Sequence, residues 1–269
     1  MMKRILLSVV LTTVLSFAGN AFCREAQTAV PVNAKPDAAQ ALQLLKDGNA
    51  RFAAGKTENP RSDIARANLA GKSDQRDYAY ATIISCSDSR VPVERIFDAG
   101  IMDLFVIRVA GNVVDGDEAG SIEYGLAHVK TPLLVVLGHT QCGAVNAVTA
   151  AVEGHGHPLE RNIPALVDNI RPAISRAQKQ HPGLTGQELI PYGIEENVWQ
   201  GIEDLFMRSP ATRELVASGK VKVVGAIYDV SRGIVNWLPA TRAAEILVAT
   251  EKNPQREKDA MAGGGHHAY

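Results

Sequence analysis

Leu133-Leu134-Val135-Val136-Leu137-Gly138-His139-Thr140-Gln141-Cys142-Gly143 decides how the rest of the chain is read. Its first five residues are apolar without a break. A short continuous run of this kind is the pattern of a strand buried on both faces of a parallel sheet. An imidazole and a thiol follow the run directly. A second stretch repeats the arrangement: Ala81 to Ser85 is apolar and β-branched, and Cys86-Ser87-Asp88-Ser89-Arg90 comes next. In an open α/β sheet, functional groups gather at the carboxyl ends of strands, so both stretches are expected at one edge of one sheet.

Working outward, further strands are expected over 103–109 and 221–228, with an edge strand over 234–238. Helical spacing is found over 117–129, 142–152, 163–180, 194–208 and 211–218, with a short helix after Pro92. Asp37 is a capping residue for a helix over 38–54, whose apolar stripe of Leu42, Leu44, Leu45 and Phe52 is narrow. Such a helix is suited to docking on a partner subunit. Residues 56–66 read as a polar loop. Strands alternating with helices define the class: α/β, a mainly parallel central sheet flanked by helices, with an N-terminal helical arm.

Composition narrows the possibilities. The 269 residues are 46% hydrophobic, with 28 basic against 29 acidic residues and a formal net charge of −1. That is enough apolar chain for a large core and gives no basic excess for nucleic acid. Lys3 and Arg4, the apolar run from Ile5 to Phe17, and the small residues Gly19-Asn20-Ala21 form the pattern of a signal peptide. The run is shorter than the roughly 20 residues a membrane span needs, so no stable membrane anchor is expected. The organisation read from the chain is a signal peptide at 1–21, an extended arm at 22–36, a catalytic domain at 37–250 and a disordered tail at 251–269, in a periplasmic protein.

Two readings compete for Cys86 and Cys142. An oxidising compartment favours a disulfide between them. Against this, His139 stands three residues before Cys142, and Asp88 and Arg90 flank Cys86; a disulfide needs none of these neighbours. Two thiolates and an imidazole suit Zn²⁺, and three protein ligands leave a fourth position open, as catalytic zinc requires. Cys142 opens a helix, whose N-terminus stabilises a thiolate. Gly143 can present a backbone N–H to a ligand oxygen. Arg90 can hold Asp88 ionised beside the metal. Zinc lowers the pKa of its water to about 7, and thiolate ligands work against that acidification, so an acceptor such as Asp88 matters. His128, His155, His157, His181, His266 and His267 have no comparable surroundings.

These stretches resemble the β-class carbonic anhydrases. The resemblance runs from about Ala38 to Leu238. It is carried by residues 86–92 (CSDSRVP) and 138–145 (GHTQCGAV), with 108–112 (RVAGN) and 225–230 (GAIYDV) in support. It implies one zinc per chain on Cys86, His139 and Cys142, and an Asp88–Arg90 pair. It also implies an apolar substrate pocket at Phe105 and Tyr124, with CO2 and bicarbonate as substrate and product. Zinc-bound hydroxide would be the nucleophile of this lyase, a carbonate dehydratase. A homodimer is implied, and with it a dimer of dimers. A CS2 or COS hydrolase shares this zinc site, and a non-catalytic zinc-binding protein is the reading from another class. Many members carry Gln-x-Pro before the first strand, where this chain has Gln75-Arg76-Asp77. In members closed by bicarbonate, Asp88's counterpart becomes a zinc ligand. Their regulatory pocket has Trp three residues before the first Cys and Gly immediately before it. Ile83 and Ser85 stand there here, so an open site without cooperative bicarbonate inhibition is expected.

Overall fold

The computed structural model describes residues 35–261. The expected signal peptide, most of the extended arm and residues 262–269 lie outside the described residues. In chain order the helices and strands are α1 (Ala38–Ala53), α2 (Ile64–Ala70), β1 (Ala81–Ser85), α3 (Val93–Ile96), β2 (Leu104–Arg108), α4 (Gly116–Glu123), β3 (Leu133–His139) and α5 (Gly143–Val152). They continue with α6 (Ile163–Asp168), α7 (Arg171–Gln180), α8 (Gly186–Arg208), α9 (Pro210–Ala217), β4 (Lys222–Asp229), β5 (Ile234–Trp237) and α10 (Ala240–Lys252).

The five strands form one sheet in the order β2-β1-β3-β4-β5. All pairings are parallel except β4 with β5, which is antiparallel at the edge. The chain runs from β1 outward to β2, then returns to the other side of β1 for β3. The order therefore reverses between β1 and β3, and that is where an open α/β sheet forms its crevice. Ser85 pairs with Leu137 across this junction, so Cys86 and His139 leave the sheet side by side. Every residue of β1 and β3 is buried, including the polar Thr82, Ser85 and His139, as central strands covered on both faces require.

Alternate residues of the strands feed two cores. Ala81, Ile83, Leu133, Val135 and Leu137 pack with α1 and α3, through Ala41, Leu45, Val93, Ile96 and Phe97. Ile84, Leu134 and Val136 face the other way, onto Val198, Ile202, Leu205 and Phe206 of α8. A third cluster, with Val145, Ile170, Ile174 and Leu189, closes over Cys86 and Cys142.

Several expectations change in detail. α1 starts as expected, with Asp37 and Gln40 forming a reciprocal cap. It packs on α3 and the sheet of its own chain, through Ala41 and Leu45, while Leu44 of its expected stripe stays exposed. Gly48 permits this approach, since a Cβ there would lie 1.8 Å from the Phe97 carbonyl oxygen. Asn49 then ties α1 down, donating to the carbonyls of Ile96 and Gly233 and accepting from Val235 N–H. The helix expected over 163–180 breaks at Asn169–Ile170, because Pro172 has no N–H to donate to the Asp168 carbonyl one turn earlier and so suits the first turn of a new helix. α8 begins eight residues before the expected position and carries Pro191 inside it. Part of the expected loop over 56–66 is α2, which buries none of its residues. The expected tail starts too early at 251. α10 runs through Lys252, and the segment beyond it stays attached, with Glu257 N–H donating to Met207 O and the Glu257 carbonyl accepting from Arg213.

A polar row on α8 allows a stability prediction. Arg176 binds Glu196 and Gln200, and Gln200 donates to Asp204 Oδ1 at 2.8 Å. Asp204 itself has no ion-pair partner among the described residues, and burial pushes its carboxyl up to about 6. A carboxyl raised above its unfolded value costs stability as pH rises through that interval. Asp204→Asn keeps the acceptor and removes the buried charge. It is expected to add about 1–2 kcal/mol at pH 8 and nothing measurable at pH 4. Denaturant titrations at the two pH values check this.

Candidate active site

The site is built where β1 and β3 end. Cys86 follows β1, His139 is the last residue of β3, and Cys142 is the N-cap of α5. All three are buried, and their ligand atoms lie within 4.8 Å of one another. Tetrahedral zinc with bonds of about 2.0–2.3 Å spaces its ligands about 3.4–3.8 Å apart, so the cluster fits one ion after a small inward adjustment. Both cysteines are free thiols.

Each donor is oriented by a neighbour. The Nδ1 of His139 lies 2.9 Å from the Thr140 carbonyl. A carbonyl can only accept, so Nδ1 carries the proton and Nε2 keeps its lone pair. That Nε2 is buried and has no partner within the protein. A buried imidazole lone pair beside two thiols is a donor set that fits a metal cation. Gly111 N–H donates to Cys86 Sγ at 3.3 Å. Gly111 has φ 77°, and a Cβ would meet Ile170 Cδ1 at 2.7 Å and Ala144 Cβ at 3.1 Å, so glycine is required twice over. Asn197 fixes the same turn by donating to Gly111 O at 2.7 Å.

The two thiols are shifted in opposite directions. Cys86 is pulled down to about 4, first by Cys142 and then by the N–H groups of Gly111 and Asp88. Cys142 is pushed up by Cys86 and by burial, although the N–H groups of Ala144 and Val145 at the start of α5 act the other way. A dication bound to both sulfurs would favour two thiolates.

Asp88 and Arg90 form a bidentate pair. Arg90 Nη2 donates to Oδ2 at 2.6 Å, and its Nε and backbone N–H both donate to Oδ1 at 2.9 Å. These bonds hold the Asp88 carboxyl well below the usual carboxylate range. Arg108 reaches back from β2 and donates to the carbonyls of Cys86 and Asp88, fixing the loop between them. Gln141 meets Arg90 from the other strand end. Sequence alone marks neither Arg108 nor Gln141 as a site residue, because both contacts depend on strand register.

Not every expected residue reaches the cluster. Phe105 pairs with Thr82, four residues before Cys86, which is about 13 Å along a strand. Tyr124 lies with it, ring centroids 6.0 Å apart, and is exposed. Both sit at the sheet edge formed by β2, not over the metal cluster of their own chain. Gln75 lies in the turn before β1, at the opposite end of the strand from Cys86. A Cβ at Gly143 would touch no protein atom, so packing within the chain does not demand glycine there. Ile83 and Ser85 are both fully buried.

Fold and site together define an α/β protein with a buried Cys-His-Cys cluster able to hold a metal ion at a sheet switch point, and comparison with known proteins narrows the class. The family model described as carbonic anhydrase matches residues 81–235. A carbonic anhydrase of Mycolicibacterium smegmatis is 37% identical over 204 residues, covering 76% of this chain and 93% of its own length. Carbonic anhydrase 2 of Mycobacterium tuberculosis is 36% identical over 201 residues, covering 72% and 89%. Among solved structures, a β-carbonic anhydrase of Aspergillus fumigatus superimposes with a TM-score of 0.59 at 26% identity, covering 79% of this chain and 95% of that one. The chain belongs to the β-carbonic anhydrase family. It is an enzyme of the carbonate dehydratase type, a lyase.

Proposed function

We propose that the chain catalyses the reversible hydration of CO2 to bicarbonate and a proton at one zinc ion held by Cys86, His139 and Cys142. The observation that carries this is the buried, unpartnered Nε2 of His139 facing two thiols, beside a carboxylate kept ionised by arginine. When bound, zinc supplies the Lewis acidity that brings a water in its open position toward neutral pKa.

The protein's own groups do the rest. Arg108 and the Gly111 turn hold Cys86 in place, and the Thr140 carbonyl sets the ring of His139. Asp88 stays ionised through the neutral range, and its carboxylate oxygens keep acceptor capacity beyond the bonds from Arg90. It accepts a hydrogen bond from the attacking water and so aims a lone pair at CO2. Buffer takes the released proton.

An apolar wall for CO2 built from Phe105 and Tyr124 has to come from a second copy of the chain, because each chain's own pair lies too far along β1. The exposed edge at β2 and the unburied α2 support the reading of a homodimer, with a dimer of dimers as the larger form. The N-terminal pattern supports export to the periplasm. Intact-mass analysis of periplasmic material should give a chain starting just after Ala21; a full-length cytosolic chain would refute export.

Stopped-flow CO2 hydration on zinc-replete protein tests the function. Hydration well above the buffer rate is expected, with bicarbonate inhibiting without cooperativity because Ile83 and Ser85 fill the position of a regulatory pocket. No hydration by zinc-replete dimer would refute the reading. A Hill coefficient clearly above one would overturn the part concerning Ile83 and Ser85.

A further inference from the structure

We infer that Gln141 is a positioning residue: its carboxamide and its own carbonyl hold the Arg90 guanidinium on Asp88, and thereby keep that carboxylate turned away from the metal cluster. The inference rests on the proposed role of Asp88.

Arg90 is a surface residue, with 45% of its side chain exposed. A free arginine side chain of this kind samples many rotamers. Here four of the five N–H donors of the guanidinium are committed. Nε and one Nη2 hydrogen go to Asp88, the other Nη2 hydrogen goes to Gln141 O at 3.0 Å, and Nη1 donates to Gln141 Oε1 at 3.2 Å. Asp88 thus binds one edge of the planar group and Gln141 the next. With the Gln141 side chain removed, Nη1 loses its acceptor and a single bond to the backbone carbonyl of residue 141 is left to hold the Arg90–Asp88 pair in place.

The backbone of Gln141 supports this role. Its φ is 58°, a left-handed conformation that is strained for a residue with a side chain. The turn points successive carbonyls at different groups, Thr140 O at the His139 ring and Gln141 O at Arg90. The residues on either side are anchored. Thr140 N–H donates to Tyr228 O, its Oγ1 accepts from Val230 N–H, and Cys142 O accepts from Asn146 N–H. Gln141 is therefore a fixed post. Glycine would adopt the same backbone more cheaply but would bring no acceptor for Nη1.

The test uses Gln141→Gly, Gln141→Ala and Gln141→Glu in zinc-loaded and cobalt-substituted protein. Glycine relieves the backbone, so that variant folds at least as well as the parent. Alanine keeps the strain and loses the carboxamide; glutamate keeps an acceptor at the same reach. At pH 7.5 the glycine and alanine variants should share a changed cobalt absorption spectrum, with a carboxylate entering the metal's coordination. Azide should bind them about 3–10-fold more weakly, with kcat/KM lower by a similar factor and metal content unchanged. The glutamate variant should match the parent in spectrum and azide affinity. A parent-like spectrum in the glycine variant would overturn the proposal, as would a change in glycine but not alanine, or an equal change in glutamate. The spectrum and azide affinity are read without turnover, so a parent that fails to hydrate CO2 would refute the proposed function and leave this test standing.

Discussion

His139→Ala is expected to lose zinc and to lower CO2 hydration by at least about 10³-fold, because catalysis runs through a metal that needs three protein ligands. The ring cannot be replaced by a neighbour. Its Nδ1 is committed to the Thr140 carbonyl, and its Nε2 is the only unpartnered imidazole nitrogen buried beside the two thiols among the described residues. With the ring gone, only Cys86 and Cys142 remain of the cluster, one ligand short of the three a catalytic zinc site needs. Elemental analysis and the hydration rate should fall together. Cys142→Ser should behave similarly, and chelated parent protein provides the comparison for folding without metal. Full zinc content in His139→Ala would show that the cluster is not the metal site.

Arg90→Ala should separate metal binding from activity. Arg90 donates three bonds to the Asp88 carboxylate, two of them from its side chain. Without the guanidinium, Asp88 loses its strongest partner and lies next in sequence but one to a zinc ligand. The expected result is near-full zinc content, Asp88 as a fourth ligand, and activity reduced about 10²–10³-fold through loss of the open position. A crystal structure of the zinc-loaded variant near pH 7.5 checks the coordination directly. Asp88 remaining off the metal, with activity near the parent's, would show that Arg90 serves only to stabilise a turn.

Much of this site is legible in the sequence for one physical reason. Strands buried on both faces must be continuously apolar, so the polar residues after them are at the strands' ends. The runs from Ala81 to Ser85 and from Leu133 to Leu137 are enough to locate Cys86, Asp88, Arg90, His139 and Cys142, and the parallel pairing of β1 with β3 brings these residues together. What the sequence does not disclose depends on register and docking. The four-residue offset that separates Phe105 from Cys86 is a property of how β2 pairs with β1. The contact of Gln141 with Arg90 crosses 51 positions of chain. The docking of α1 turns on Gly48, whose missing side chain gives no periodic signal. α10 is a different case. Ala243, Ile246 and Thr250 have helical spacing and are buried, so the pattern is present in the sequence although no helix is expected there from it above.

What joins Cys86 to Cys142 decides between a metal site and a disulfide. Zinc analysis of active protein, combined with mass spectrometry of the peptides carrying the two residues after thiol alkylation under denaturing, chelating conditions, measures it. One zinc per chain with both cysteines alkylated is the predicted result; fully active protein with a Cys86–Cys142 disulfide would contradict it.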